Sequence, residues 1–110
     1  MLFRSFNNGI TPVIPSKGSV GSSGDLAPLA HLVLSLLGKG KVWYENAMMD
    51  SLLALKKIGL KPWTLTAKEG LALVNGTQMM TAYAALSTYE ATQLCKNADI
   101  AAAIDRKSVV

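Results

Sequence analysis

The chain has 110 residues, which at roughly 150 residues per domain is one small domain at most. Half of its residues are hydrophobic and 16% are charged, so its composition excludes intrinsic disorder. Its one cysteine excludes an intramolecular disulfide framework. The longest apolar stretch, Leu26–Leu37, is interrupted by Pro28, His31 and Ser35 and falls short of the ~20 residues of a membrane-spanning helix.

The two ends of the chain share a coding pattern that bears on the net charge of +4. Leu2–Ser5 can be encoded by CTC TTC CGA TCT, the string of a widely used sequencing adapter. The reverse complement of that string, continued by C and read one base in, encodes Asp105–Ser108. We therefore expect residues 1–5 and 105–110 to be sequencing-adapter artefact. Residues 6–104 hold eight lysines and six acidic residues, and this net charge of +2 offers no electrostatic footprint for nucleic acid.

The first half of the chain predicts a long loop followed by a helix. Prolines, glycines and serines recur through residues 7–24, which is typical of a loop. The apolar pattern of Leu26–Leu37 predicts a helix. Asp25 is expected to cap its N-terminus, and Gly38 lies where a helix often ends.

A hairpin and a second helix are predicted next. Lys41–Tyr44 and Ala47–Met48 flank Glu45-Asn46, and Asn46 tolerates the positive φ of a tight hairpin turn. Asp50 is then expected to cap a helix over Ser51–Ile58.

Two further helices complete the predicted elements. Thr66 and Glu69 have the spacing of a capping box, which predicts a short helix from Thr66 to about Val74. Thr77–Ile104 contains neither proline nor glycine and few charges, and it predicts one long helix. A helix so apolar is buried on several sides, so the rest of the chain or other subunits must cover it. The fold class is therefore mainly α, with a small hairpin and one long helix.

A loop of small residues, Gly18–Leu26, opens directly onto the first predicted helix. Phosphate binding is one interpretation, because amides at a helix N-terminus attract anions. The segment nevertheless lacks the Gly-Lys-Ser/Thr of a P-loop, and no buried strand precedes it as a dinucleotide-binding fingerprint requires. Phosphate binding is therefore the weaker interpretation.

Ser22-Ser23-Gly24 offers a second interpretation of the same loop. A glycine amide nitrogen can attack the carbonyl carbon two residues earlier, because glycine has no Cβ to obstruct the turn. Loss of water from that carbonyl and of the Ser23 hydroxyl would leave a methylidene-imidazolone ring, an electrophile made without an external cofactor. The dipole of the following helix would stabilise negative charge that develops at the ring.

Two long motifs decide between these interpretations by resemblance. Gly18–His31 reads GSVGSSGDLAPLAH and resembles the active-site signature of the histidine and aromatic amino acid ammonia-lyases. Ala67–Gln78 reads AKEGLALVNGTQ and is similar to a second segment of that family. The resemblance covers essentially all of residues 6–104, which would then be part of an ammonia-lyase catalytic domain with a helical core.

The resemblance assigns roles to four residues of the site. Ser22, Ser23 and Gly24 would form the methylidene-imidazolone group, although the family's usual alanine is replaced here by Ser22. Ser22 contributes its carbonyl to the ring, so another small residue is expected to be tolerated, and Ser23 is the residue that loses its hydroxyl. Asn75 corresponds to the family asparagine that faces the prosthetic group and substrate.

Other polar residues of the two motifs receive structural interpretations. Asp25 is expected to shape the loop and cap the helix, and the capping box accounts for Glu69. His31 is interpreted as a histidine of the core. Tyr83 and Tyr89 do not match the family's catalytic tyrosine, which lies upstream of Phe6 in a full family chain.

The resemblance implies non-oxidative elimination of ammonia from an α-amino acid. Gln78 and the segment Leu26–His31 look most like the histidine branch, whose product is urocanate. Tyrosine or phenylalanine ammonia-lyases and the aminomutases that share the ring remain alternatives, as does a packing module that is inactive because its partners in the site are missing. By the same resemblance, the full-length protein is expected to be a cytoplasmic homotetramer that acts on a small amino acid, with no external cofactor, metal, nucleic acid or membrane partner.

Overall fold

A computed structural model describes residues 1–22 and 24–107, the side chain of Lys107 excepted. The chain forms two compact units, Met1–Met79 and Met80–Val110. The elements of the first unit, in chain order, are α1 (Leu2–Asn7), β1 (Thr11–Pro12), α2 (Leu26–Leu36), β2 (Lys41–Tyr44), β3 (Ala47–Asp50), α3 (Ser51–Lys57) and α4 (Glu69–Val74). Helix α5 (Gln78–Lys107) begins with the last two residues of the first unit, and its remaining residues lie in the second unit. The predicted mainly α class is confirmed.

The three strands form one antiparallel sheet in the order β1-β2-β3. Glu45 and Asn46 connect β2 to β3 and have φ values of +51° and +61°, as a type I′ turn requires. The predicted hairpin is therefore confirmed. Strand β1 lies in the segment that was predicted as loop, and there the prediction was wrong. Thr11 pairs with Trp43, thirty-two residues away, and such a distant partner leaves no local signal.

The core of the first unit lies between the sheet and α3. Ile10, Val42, Ala54 and Leu55 are buried together there. The hydroxyl of Ser51, at the start of α3, donates a buried hydrogen bond to a backbone carbonyl of α2. Asp50 stands at the N-cap of α3, but its side chain makes no capping hydrogen bond and pairs with Lys41 of the neighbouring strand instead.

The loop of small residues runs into the N-terminus of α2, so the packing of this helix fixes where that loop ends. Leu29, Val33 and Leu36 are buried on one side of the helix. The helix ends one residue before the predicted Leu37, and Gly38 follows with φ +73°. The Lys39 N–H closes the end by donating to a carbonyl one turn back, which is the Schellman arrangement.

Helix α4 lies against α2 and begins later than the capping box predicted. Glu69 Oε2 accepts a hydrogen bond of 2.7 Å from the Thr66 N–H, so the glutamate half of the box is formed. Lys68, however, adopts a left-handed conformation with φ +70°, and this interrupts the helical path. The helix therefore starts at Glu69 and not at Thr66.

Helix α5 confirms the predicted long helix, with bounds of Gln78–Lys107 where Thr77–Ile104 was expected. At 1.5 Å per residue, its 30 residues extend for about 45 Å. Its large apolar side chains are exposed, among them Leu86, Leu94 and Ile100 at 61%, 70% and 58%. Among residues 1–22 and 24–107, none of the helices combines the length and hydrophobicity that a membrane crossing requires.

Candidate active site

The candidate site is the loop between β1 and α2, centred on Ser22-Ser23-Gly24. Ser23 lies outside the described residues, so the geometry of the site comes from its neighbours. The Gly24 N–H donates a hydrogen bond of 2.7 Å to the Gly21 carbonyl, and the Val20 N–H donates one of 3.1 Å to the Gly24 carbonyl. These two bonds close a tight turn around the predicted cyclisation site.

Gly24 is confined by its surroundings. A Cβ at this position would lie 2.3 Å from Cγ2 of Val20 and 2.5 Å from the Gly21 carbonyl oxygen. No side chain can take such positions while the turn is kept, so residue 24 must be glycine in this conformation. The chemistry of ring closure also requires an unhindered nitrogen at this residue. The residues present at the loop therefore fit a methylidene-imidazolone group.

Ser22 has a left-handed backbone, with φ +46°. Residues other than glycine adopt this region uncommonly, and β-branched or bulky ones are outliers there. Ser22 follows Gly21, whose φ is +75°, so two consecutive residues bend the chain in the left-handed sense. The bend lies within the turn that the Gly24 N–H closes on the Gly21 carbonyl.

Asp25 is fully buried at the N-cap position of α2. The prediction that its side chain caps the helix was wrong, because no capping hydrogen bond is formed. Its carboxylate instead accepts a hydrogen bond from the hydroxyl of Ser19. The Asp25 backbone carbonyl accepts the first helical hydrogen bond from the Leu29 N–H at 3.0 Å. Asp25 thus joins the loop to the rigid part of α2.

Ser19 makes contacts within the loop that the sequence analysis did not predict. Its hydroxyl donates to Asp25 and also lies 3.3 Å from the Gly21 backbone nitrogen, whose N–H donates to it. A serine six residues before an aspartate follows no general spacing rule, so the pattern of residue types gave no signal for this contact.

Asn75 lies at the C-terminal end of α4, exposed and with an extended backbone. Its side chain makes no hydrogen bond to the described residues of the loop. Helix α4 contacts α2, the helix that follows the loop. Glu69, in contrast, is accounted for by its contact with the Thr66 N–H.

His31 is exposed, and the interpretation of it as a core histidine was wrong. Leu29 and Val33 point into the core, and His31, between them in sequence, lies off that face of the helix. Its Nδ1 lies 2.8 Å from the carbonyl oxygen of Ala27, one turn earlier on α2. Across residues 1–22 and 24–107, no group of three or more His, Cys, Asp or Glu residues is arranged to hold a metal ion.

Comparison with known families matches residues 1–108 to the family described as aromatic amino acid lyase. The chain belongs to the aromatic amino acid lyase family. This agrees with the resemblance carried by the two motifs.

The relatives of this chain include two proteins that are named histidine ammonia-lyase. The one from Alkaliphilus oremlandii is 53% identical over 103 residues, which are 94% of this chain and 20% of the relative. The one from Symbiobacterium thermophilum is 51% identical over 109 residues, which are 99% of this chain and 22% of the relative. The chain therefore spans about a fifth of the length of these relatives.

The solved structures that are similar to this chain include both an ammonia-lyase and an aminomutase. Histidine ammonia-lyase from Trypanosoma cruzi is 46% identical with a TM-score of 0.63, over 72% of this chain and 15% of that one. Phenylalanine aminomutase from Pantoea agglomerans is 47% identical with a TM-score of 0.62, over 69% of this chain and 14% of that one. These similarities confirm that the fold is that of a segment from an ammonia-lyase core.

Proposed function

We propose that the parent protein of this segment is an amino acid ammonia-lyase with histidine as its substrate and urocanate as its product. The observation that carries the proposal is the turn at Gly21–Gly24, which has no room for a side chain on residue 24. The relatives named histidine ammonia-lyase, 51% and 53% identical, support the choice of histidine. The proposal includes a cytoplasmic homotetramer, in which residues 6–104 form part of the catalytic domain.

The chain's own backbone would supply the electrophile. A bond forms between the Gly24 nitrogen and the Ser22 carbonyl carbon. The Ser22 carbonyl oxygen leaves as water with the protons of the Gly24 and Ser23 amides. The Ser23 hydroxyl leaves as a second water with the proton of its own α-carbon. When formed, the methylidene-imidazolone group supplies an electrophilic carbon at the N-terminus of α2 and removes the need for an external cofactor.

Other residues of the segment would assist in two ways. The N-terminus of α2 bears the positive end of an 11-residue helix, which stabilises negative charge developing nearby. Asn75 would bind and orient the amino acid once the rest of the parent chain completes the site. The catalytic tyrosine and the residues that select the substrate would come from outside this segment, so the segment alone would be inactive.

An aminomutase is the second candidate, favoured by the 47% identity to the phenylalanine aminomutase from Pantoea agglomerans. The same electrophile would serve both reactions. The two functions differ in what leaves the site: a lyase releases ammonia and an unsaturated acid, whereas an aminomutase returns the amino group to the neighbouring carbon.

The test is to express the full-length parent protein and to measure its intact mass and its products from histidine, phenylalanine and tyrosine. We expect a mass lower than that of the encoded chain by two water molecules, and release of ammonia and urocanate from histidine. A protein with the full encoded mass and no turnover of any of the three would contradict the proposal. A β-amino acid product would favour the aminomutase.

Two serine variants identify the residue that dehydrates. Ser23→Ala leaves no hydroxyl to eliminate, so turnover should fall by several orders of magnitude, more than the ~10²–10³ typical of losing one oxyanion donor. Ser22→Ala restores the family's usual alanine and should cost little. If Ser22→Ala were the inactivating change, the assignment of Ser23 would be wrong.

A further inference from the structure

Ser19 holds both sides of the turn at the site through a single hydroxyl group. Its O–H donates to the Asp25 carboxylate, and its oxygen accepts from the Gly21 N–H at 3.3 Å. A serine hydroxyl has one donor and two acceptor positions, so both contacts can form together. The hydroxyl therefore connects Gly21, where the turn begins, with Asp25, which follows its last residue.

The two residues that Ser19 connects, Asp25 and Gly21, differ in their burial and in their contacts. Asp25 is fully buried at the N-cap of α2, and the Leu29 N–H donates to its backbone carbonyl at 3.0 Å. Gly21 lies on the loop with a positive φ and has no side chain to anchor it. Ser19 thus connects Gly21, on the loop, to the buried residue at the start of α2.

Ring closure would depend on this connection, because it joins the Gly24 nitrogen to the Ser22 carbonyl carbon, two atoms of the same turn. The Gly24 nitrogen already faces inward, since its N–H donates to the Gly21 carbonyl at 2.7 Å. If Gly21 moves, that hydrogen bond is lost, and with it the constraint that the bond places on the Gly24 nitrogen. Intramolecular reactions gain most of their rate from such alignment.

We propose that Ser19 is a positioning residue for cyclisation, and that its hydroxyl sets the rate at which Ser22-Ser23-Gly24 closes. The inference rests on the proposed function, because it concerns the formation of the same electrophile. It assigns Ser19 no contact with substrate: once the ring has formed, the hydroxyl has completed its role.

The experiment compares two variants of the full-length parent protein that have the same shape. Ser19→Thr retains the hydroxyl, and Ser19→Val replaces it by a methyl group. Ser19 is exposed, so the added carbon has space in either variant. Ser16→Ala is the matched control, since Ser16 is an exposed serine of the same loop. The measured quantity is the fraction of chains that have lost two waters, followed by intact mass at increasing times after synthesis.

Ser19→Thr and Ser16→Ala should lose the two waters at nearly the wild-type rate. Ser19→Val should lose them about tenfold to a hundredfold more slowly, the range that a small misplacement of reacting atoms causes. Chains of Ser19→Val that have matured fully should turn over substrate like the wild type. Far-UV circular dichroism and thermal unfolding show whether each variant is folded during the measurement.

Equal rates for Ser19→Val and Ser19→Thr would overturn the proposal. So would a Ser19→Val protein that does not fold while Ser19→Thr does, because the hydroxyl would then serve folding and not cyclisation. Absence of the mass loss in the wild-type protein would instead contradict the proposed function, so the two failures are distinguishable.

Discussion

The backbone nitrogen of Gly24 lies 2.7 Å from the carbonyl oxygen of Gly21, within hydrogen-bond distance. A Cβ on residue 24 would lie 2.5 Å from the same oxygen. The hydrogen bond and a side chain at residue 24 therefore exclude each other. The nitrogen that makes this hydrogen bond is the one that the proposed ring closure uses.

Gly24→Ala should abolish ring formation in the full-length protein. The alanine methyl group would displace Val20 or Gly21, so the turn would open and the nitrogen would move away from the Ser22 carbonyl. We expect the full encoded mass and loss of turnover by several orders of magnitude, with helix content unchanged by circular dichroism. Gly70→Ala is the control, because a Cβ there meets only an ordinary contact at 3.9 Å, and this variant should keep the mass loss. Ring formation in Gly24→Ala would contradict the geometry.

Asn75→Ala should impair turnover without affecting the ring. Asn75 is exposed at the end of α4 and makes no hydrogen bond to the described loop residues, so its replacement should leave cyclisation unaffected. We expect the loss of two waters to remain and turnover to fall to a level between those of Ser22→Ala and Ser23→Ala. Intact mass and kcat on histidine measure the two effects separately. Asn97→Ala, on the exposed surface of α5, is the control. Wild-type kcat in Asn75→Ala, or a full encoded mass, would exclude the proposed role.

The isolated 110-residue chain should associate or precipitate. Helix α5 exposes large apolar side chains along its length, including Leu86, Leu94 and Ile104. Exposed apolar surface marks sites of association when it is large and contiguous. Light scattering should show large species for the isolated chain and a homotetramer for the full-length protein. The double variant Leu86→Lys, Leu94→Lys should increase the soluble fraction of the isolated chain. A monodisperse, soluble monomer of the unmodified chain would contradict this expectation.

The parent gene should lack the codons for Leu2–Ser5 and Asp105–Val110. The coding of the two ends on opposite strands of one adapter string is the reason for this expectation. The family match extends over residues 1–108, so similarity alone does not separate natural residues from adapter-encoded ones. Sequencing the locus with a different library chemistry decides the matter. Genomic DNA that contains these codons would show that the ends are natural.

Much of the fold could be predicted because its signals are local. The positive φ of Asn46 and the glycine after α2 each follow from the conformational preference of one residue. The start of α4 could not be predicted in the same way. The left-handed conformation of Lys68 is not preferred by lysine, and the capping-box spacing gave no indication of it. Strand β1 was missed for a different reason, because its pairing partner is distant in sequence.

The site could be predicted in its chemistry but only partly in its contacts. Gly24 was selected because ring closure needs an unhindered nitrogen, and the structure adds the close approach of Val20. Asp25 has the residue type of an N-cap, yet its carboxylate accepts from Ser19. Residue type alone does not reveal which donor an aspartate accepts from when a loop folds back onto a helix end. His31 was misplaced because an apolar stretch does not by itself show which positions face the core.

The left-handed backbone of Ser22 limits how this position can vary in evolution. A β-branched side chain at φ +46° would crowd its own backbone, so valine, isoleucine and threonine are disfavoured whatever their effect on the electrophile. Glycine and asparagine adopt this region most readily, and alanine and serine lack the second γ atom that adds to the crowding. Replacement of the family's alanine by serine therefore remains within the small set of residues that the bend accepts. A residue at position 22 must therefore be compatible with the left-handed backbone before its effect on catalysis matters.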